Sequence, residues 1–151
     1  MKTTVDKPVD LLALVNKPLG TSSWVVLDQD DVNTFGQITH DEQWIHVDVE
    51  RAKAGPFGSP IAHGYLTLSL VGPLFASLLN VREASMIVNY GLDRVRFPAP
   101  VPTGSRVRLS AAVAAATEVA GGVQLVADAT LEIEGGTKPG CVARPVYRYF
   151  T

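Results

Sequence analysis

Asp41 and His46 are separated by four residues in a stretch, GQITHDEQWIHVDVERAKAGPFGSPIAHGYLTLSL (36–70), that also holds the two other histidines, His40 and His63. A carboxyl group and an imidazole brought to one water molecule make an acid/base pair. Histidine titrates near neutrality, and a partly buried aspartate can be raised to hold a proton. On a regular helix five steps would leave the two side chains about 140° apart, so the chain between them must leave helical geometry to reach one substrate. Gly36 upstream and the bulky Trp44-Ile45 pair suit a loop whose apolar residues dock inward with Asp41 and His46 at its rim. Spacing alone also admits plainer roles: Asp41 capping a turn, His46 a satisfied half-buried ring, Asp48 an N-cap, His40 a surface residue.

The second candidate group is Ile61-Ala62-His63-Gly64, at the start of a long apolar segment. Free N–H groups at a helix N-terminus favour negative charge, and Gly64 has no side chain to block close approach. A carbonyl oxygen turning into an enolate fits on its N–H, as in an oxyanion hole. His63 is read as fixing the loop through a hydrogen bond to backbone, in preference to moving protons. Three histidines and many carboxylates raise the question of a metal, but His40-Asp41 and His46-x-Asp48 match no familiar ligand spacing, so no metal is expected.

The elements that must position these residues follow from pattern. Val5–Val15 reads as a short amphipathic helix, Thr21–Leu27 as a strand, Asp28–Gly36 as a helix opened by its carboxylates. Asp48 is placed to cap a helix that stops at Gly55-Pro56. A long helix is predicted from Ala62 or His63 to Leu79, bent at Pro73. Ala84–Phe97, Gly104–Thr117, Gly122–Glu134 and Cys141–Phe150 then read as strands, with alternation plainest over Val123–Glu134. One wet face and one apolar face mark an antiparallel sheet covered on a single side. The fold class is α+β, with a curved antiparallel sheet wrapped around a long central helix in one domain, 1–151. Exposed sheet edges make a dimer expected.

Composition sets limits. With 46% apolar and 19% charged residues the chain is that of a globular protein, and a net charge of −2 offers nucleic acid or acidic lipid no general attraction. Ile61–Val81 carries no charged side chain, but its polar and proline interruptions make it a buried core helix and not a membrane span. The N-terminus lacks a signal-peptide pattern and Cys141 is the single cysteine, so a cytoplasmic setting is expected and Cys141 is taken as a small buried residue.

At Asp41-Glu42-Gln43-Trp44-Ile45-His46-Val47-Asp48, Ala52 and Phe57–Leu66 the sequence resembles the hydratase motif of the MaoC-like dehydratases, which include the (R)-specific enoyl-CoA hydratases. The run Asn89–Val101 is similar to that family's strand after the central helix. The resemblance implies a hot-dog fold and reversible hydration of a trans-2-enoyl-CoA to the (R)-3-hydroxyacyl-CoA, with no cofactor. Asp41 and His46 match the dyad that holds the attacking water, and Gly64 the residue whose N–H receives the thioester oxygen. His46 is assigned as base and Asp41 as proton donor, although the two share the water and can be exchanged. The family's usual Asn-Pro is Gln43-Trp44 here, and a helix serine of many members is Gly72. Substrate contacts are expected from Gln43, His63 and Tyr65, with Arg94, Arg96, Arg106 and Arg108 facing coenzyme A phosphates. The acyl-CoA is the expected partner, in a homodimer. The competing readings are a hot-dog acyl-CoA thioesterase and a non-catalytic subunit of a MaoC-like heterodimer.

Overall fold

A computed structural model describes residues 1–151. Its elements in chain order are β1 (Thr3–Val5), a 3₁₀ turn (Pro8–Leu14), β2 (Pro18–Thr21), β3 (Val25–Leu27), α1 (Gln29–Thr39), α2 (Trp44–Val47), α3 (Val49–Lys53), α4 (Gly64–Leu78), β4 (Leu79–Val81), β5 (Met86–Arg96), β6 (Ser105–Val119), β7 (Gly122–Ile133) and β8 (Cys141–Phe150). The large sheet runs β2-β6-β7-β8-β5, with β3 also on β6, and every pairing in it is antiparallel.

The sheet has the wet and dry faces that alternation predicts. Val107, Leu109, Ala111 and Val113 of β6 and Val123, Leu125, Ala127, Ala129 and Leu131 of β7 are buried on one side. On the other side Arg108 pairs with Glu132 at 2.6 Å and Arg144 with Asp128 at 2.8 Å. Helix α4 covers the dry face with Leu66, Thr67, Val71, Phe75 and Leu78, and the Phe75 ring stacks on Tyr147 with centroids 5.1 Å apart. Each such large side chain contributes roughly 1.5–3 kcal/mol by leaving water. This is the hot-dog arrangement, an antiparallel sheet around a central helix, and the helix continues through Pro73.

Three local readings differ. The expected strand Thr21–Leu27 is two short ones, because Ser22 turns inward: its N–H donates to the Leu109 carbonyl at 2.8 Å and its hydroxyl accepts from the Leu109 N–H at 2.9 Å. The N-terminal helix is a 3₁₀ turn with Pro8 at its start, flanked by β1, which pairs in parallel with β4. Helix α1 does not end at Gly36. It runs on to Thr39 and stops where His40 takes the left-handed conformation, φ 61°.

Candidate active site

His40 ends α1, Asp41–Gln43 descend without helical structure, and α2 begins at Trp44. The loop predicted between Asp41 and His46 is thus three residues followed by one helical turn, closed by the Gln43 carbonyl accepting from the His46 N–H at 3.0 Å. From α1, the Gln29 side-chain amide donates to the His46 carbonyl at 2.7 Å. Indole packing anchors the far end: Arg51 lies 4.3 Å over Trp44, and Gly55 leaves room for that ring. Asp48 caps α3 by accepting from the Arg51 N–H at 3.1 Å, as predicted.

The His46 ring is buried, 7% exposed, and its Nδ1 lies 2.6 Å from the Ile61 carbonyl oxygen. A carbonyl only accepts, so Nδ1 carries the proton and Nε2 keeps a free lone pair. The Ile61 carbonyl is itself held, since Ile61 N–H donates to Ile45 and Ala62 N–H to Val101. Burial pushes the His46 pKa below its ordinary value and the nearby His63 adds to this, against the Ile61 hydrogen bond and the Asp41 charge, which pull it up. His46 is therefore neutral at neutral pH, with Nε2 left as an acceptor.

Helix α4 starts at Gly64 with no side-chain cap, and the Gly64 and Tyr65 N–H groups have no backbone acceptor, while those of Leu66 and Thr67 return to the His63 carbonyl. A β-carbon on Gly64 would lie 3.1–3.2 Å from Phe97 ring carbons. The ring of Phe97 thus presses on the glycine, and a side chain there would displace it.

Asp41, Phe35, Thr39, His46, His63, Gly64 and Tyr65 line one cavity of ≈ 310 Å³. A second, mostly apolar cavity of ≈ 330 Å³, walled by Phe57, Ile61, Phe97 and Val101, meets it at His46 and Gly64. Donor atoms of Asp41, His46 and His63 come within 4.8 Å of one another. The His46 and His63 rings stack at 3.9 Å and 26°.

Asp41, His46, His63, Gly64 and Tyr65 are thus brought together. Asp41 is exposed on its loop, where a partly buried carboxyl was expected. Gln43 is exposed, lines neither cavity and contributes its main chain to α2. Arg94 and Arg96 are exposed and outside any ion pair, in register with Arg144 and Val142 of β8 on the face turned away from α4. Arg106 and Arg108 are committed instead to Glu134 and Glu132 and to the face of Trp24. Phe35 and Gln29 carry no signal of a site role in the sequence, and Gly36, read there as freeing the loop, lies inside α1 and passes within reach of the Asp41 carbonyl and the His63 ring.

The model of the MaoC like domain matches residues 10–134. The 3-hydroxyacyl-thioester dehydratase Z of Mycobacterium tuberculosis (strain ATCC 25618 / H37Rv) is 46% identical over 147 residues, covering 97% of each chain. Nodulation protein N of Rhizobium meliloti (strain 1021) is 44% identical over 137 residues, 89% of this chain and 85% of its own. Among solved structures, the (R)-hydratase from A. caviae involved in PHA biosynthesis superposes with a TM-score of 0.72 at 21% identity, over 86% of this chain and 95% of that one. Sequence likeness along nearly the full length and the shared hot-dog architecture agree, and the chain belongs to the MaoC-like dehydratase family.

Proposed function

We propose that this hydro-lyase adds water across the double bond of a trans-2-enoyl thioester, coenzyme A being the carrier, to give the (R)-3-hydroxyacyl thioester, and runs the reverse dehydration. The observation that carries the reading is the His46 tautomer: Nδ1–H is held on the Ile61 carbonyl, leaving Nε2 as a base in the cavity that Asp41 and Gly64 share. The 3-hydroxyacyl-thioester dehydratase Z, 46% identical across 97% of this chain, supports the substrate class.

In this reading one water sits between the Asp41 carboxylate and His46 Nε2. As its oxygen bonds to C3, Nε2 takes a proton, the C2–C3 π pair moves toward C1, and the thioester oxygen gains charge. The Gly64 N–H and the dipole of α4 face that charge. The proton passes through the Asp41 carboxyl to C2, so both added groups come from one water and neither side chain is changed over a turnover. Exchanging the two roles uses the same atoms. Tyr65 borders the bound thioester, and Arg94 and Arg96 are free to meet phosphates of the carrier. The working unit is the single domain 1–151, paired with a second copy along β5, the sheet edge that exposes Met86, Ile87, Tyr90 and Leu92. No helix is long and apolar enough to cross a membrane.

The test is incubation of the purified chain with crotonyl-CoA while following enoyl absorbance and free thiol together. Loss of absorbance without thiol release, abolished by Asp41→Asn or His46→Gln, is expected. Thiol release would make it a thioesterase, and silence in both channels would make it a non-catalytic subunit.

A further inference from the structure

His63 has no step of its own in the reaction above, yet it is 3% exposed and touches each part of the site. Its Nε2 lies 2.8 Å from the main-chain carbonyl of Asp41. The ring stacks on His46, Phe35 closes the other face at 4.9 Å, and the next residue is Gly64. Room for this comes from Gly36, where a β-carbon would stand 3.6 Å from His63 Cε1 and 3.0 Å from the Asp41 oxygen. The carbonyl fixes the proton on Nε2, so Nδ1 is a bare acceptor, and it is buried with no partner. A buried acceptor left unpaired is a cost that a phenylalanine would avoid. A phenylalanine keeps the stack and loses the donor; a glutamine keeps a donor and loses the stack. Of the three, only histidine supplies both.

We propose that His63 is the positioning residue of the dyad, setting the spacing of the Asp41 carboxyl from His46 Nε2 through its bond to the Asp41 main chain and its stack on the His46 ring. The inference rests on the hydration reading for its consequence in catalysis, and its geometry stands apart from that reading. The titratable groups facing the His46 ring are His63 and Asp41, and the ring's remaining polar contact is the Ile61 carbonyl. The stacked ring keeps water from one face of His46, and lost hydration disfavours the charged imidazolium. Freeing the Asp41 main chain misplaces the carboxylate, and a shift near 1 Å costs on the order of 10²-fold in rate.

The experiment is a pair of variants, His63→Phe and His63→Gln, read by crotonyl-CoA kinetics against pH, by NMR titration of the His46 imidazole, and by thermal melting. His63→Phe is expected to lower kcat roughly 10- to 100-fold with KM little changed and the His46 titration still low. His63→Gln is expected to move the His46 titration and the acid limb of the rate profile upward together. Folded variants that leave both kcat and the His46 titration at wild-type values overturn the proposal, as does a loss of rate that follows melting temperature with the pH profile unmoved. If neither variant folds, the wild-type spectrum decides: a His63 proton on Nε2 supports it, one on Nδ1 overturns it. Wild-type protein that shows these imidazole states without hydrating crotonyl-CoA refutes the hydration reading and leaves the His63 assignment standing. Hydration indifferent to residue 63 does the reverse.

Discussion

Adding one methyl group at Gly64 separates folding from chemistry. The glycine has an ordinary helical start and no positive φ, so alanine adopts its backbone without strain. The new carbon meets three Phe97 ring atoms at 3.1, 3.2 and 3.2 Å, close enough that the ring must yield a few tenths of an ångström. Phe97 is 42% exposed and free to swing outward, so the overpacking cost falls at or below the low end of the roughly 1–3 kcal/mol seen in closed cores. Chemistry suffers more. In the proposed reaction the thioester oxygen sits on the first N–H of α4, and the methyl stands beside that approach. Losing one such donor costs about 2.7–4 kcal/mol in the transition state, 10²–10³-fold in kcat. Gly64→Ala is therefore expected to melt near wild type and to lose at least about a hundredfold in crotonyl-CoA hydration, and Phe97→Ala in the same chain restores space without restoring rate. A Gly64→Ala protein that keeps kcat within roughly threefold refutes the oxyanion assignment.

Other expectations are as direct. Asp41 is exposed, so Asp41→Asn leaves melting unchanged while removing roughly 10²–10⁴-fold of rate; unaltered turnover would exclude Asp41 from the chemistry. Burial lowers the His46 pKa, so hydration, which needs the neutral ring, persists below the ordinary histidine value of about 6.5 before falling on the acid side; an acid limb above that value would contradict a buried neutral base. The same sign governs folding: the unfolded chain binds the His46 proton first, so stability is complete above about 6.5 and is lost as pH falls through the lower folded value. Leu125 is fully buried, and Leu125→Ala is expected to cost about 2–5 kcal/mol in urea unfolding, a value near zero implying that α4 does not seal the sheet. Cys141 is buried with its thiol pushed up to about 11, so thiol reagents should leave the native protein unlabelled.

Much of this architecture is legible in residue order. The alternation of β7 and the long apolar helix carry their own periods, and both emerge within a few residues of the predicted limits. That Asp41, His46 and Gly64 meet at one cavity is legible through spacing and the family motif. What escapes is whatever depends on partners distant in the chain. Gly36 reads as a helix stop, yet its missing side chain serves the approach of the Asp41 carbonyl and His63, and His40 does the stopping. Ser22 looks like a strand residue until Leu109 claims its hydroxyl. Three-residue strands such as β1 and β4 are too short to alternate. Arg106 and Arg108 offer cations to a phosphate in sequence and spend them on Glu134 and Glu132 across the sheet.

A crystal structure of the Asp41→Asn protein soaked with an enoyl-CoA tests the arrangement without any rate. The thioester oxygen should lie within hydrogen-bond distance of the Gly64 nitrogen, with one water touching both the residue 41 amide and His46 Nε2 on the face of C3. An acyl thioester seated elsewhere, or a Gly64 nitrogen facing only protein or solvent, would contradict it.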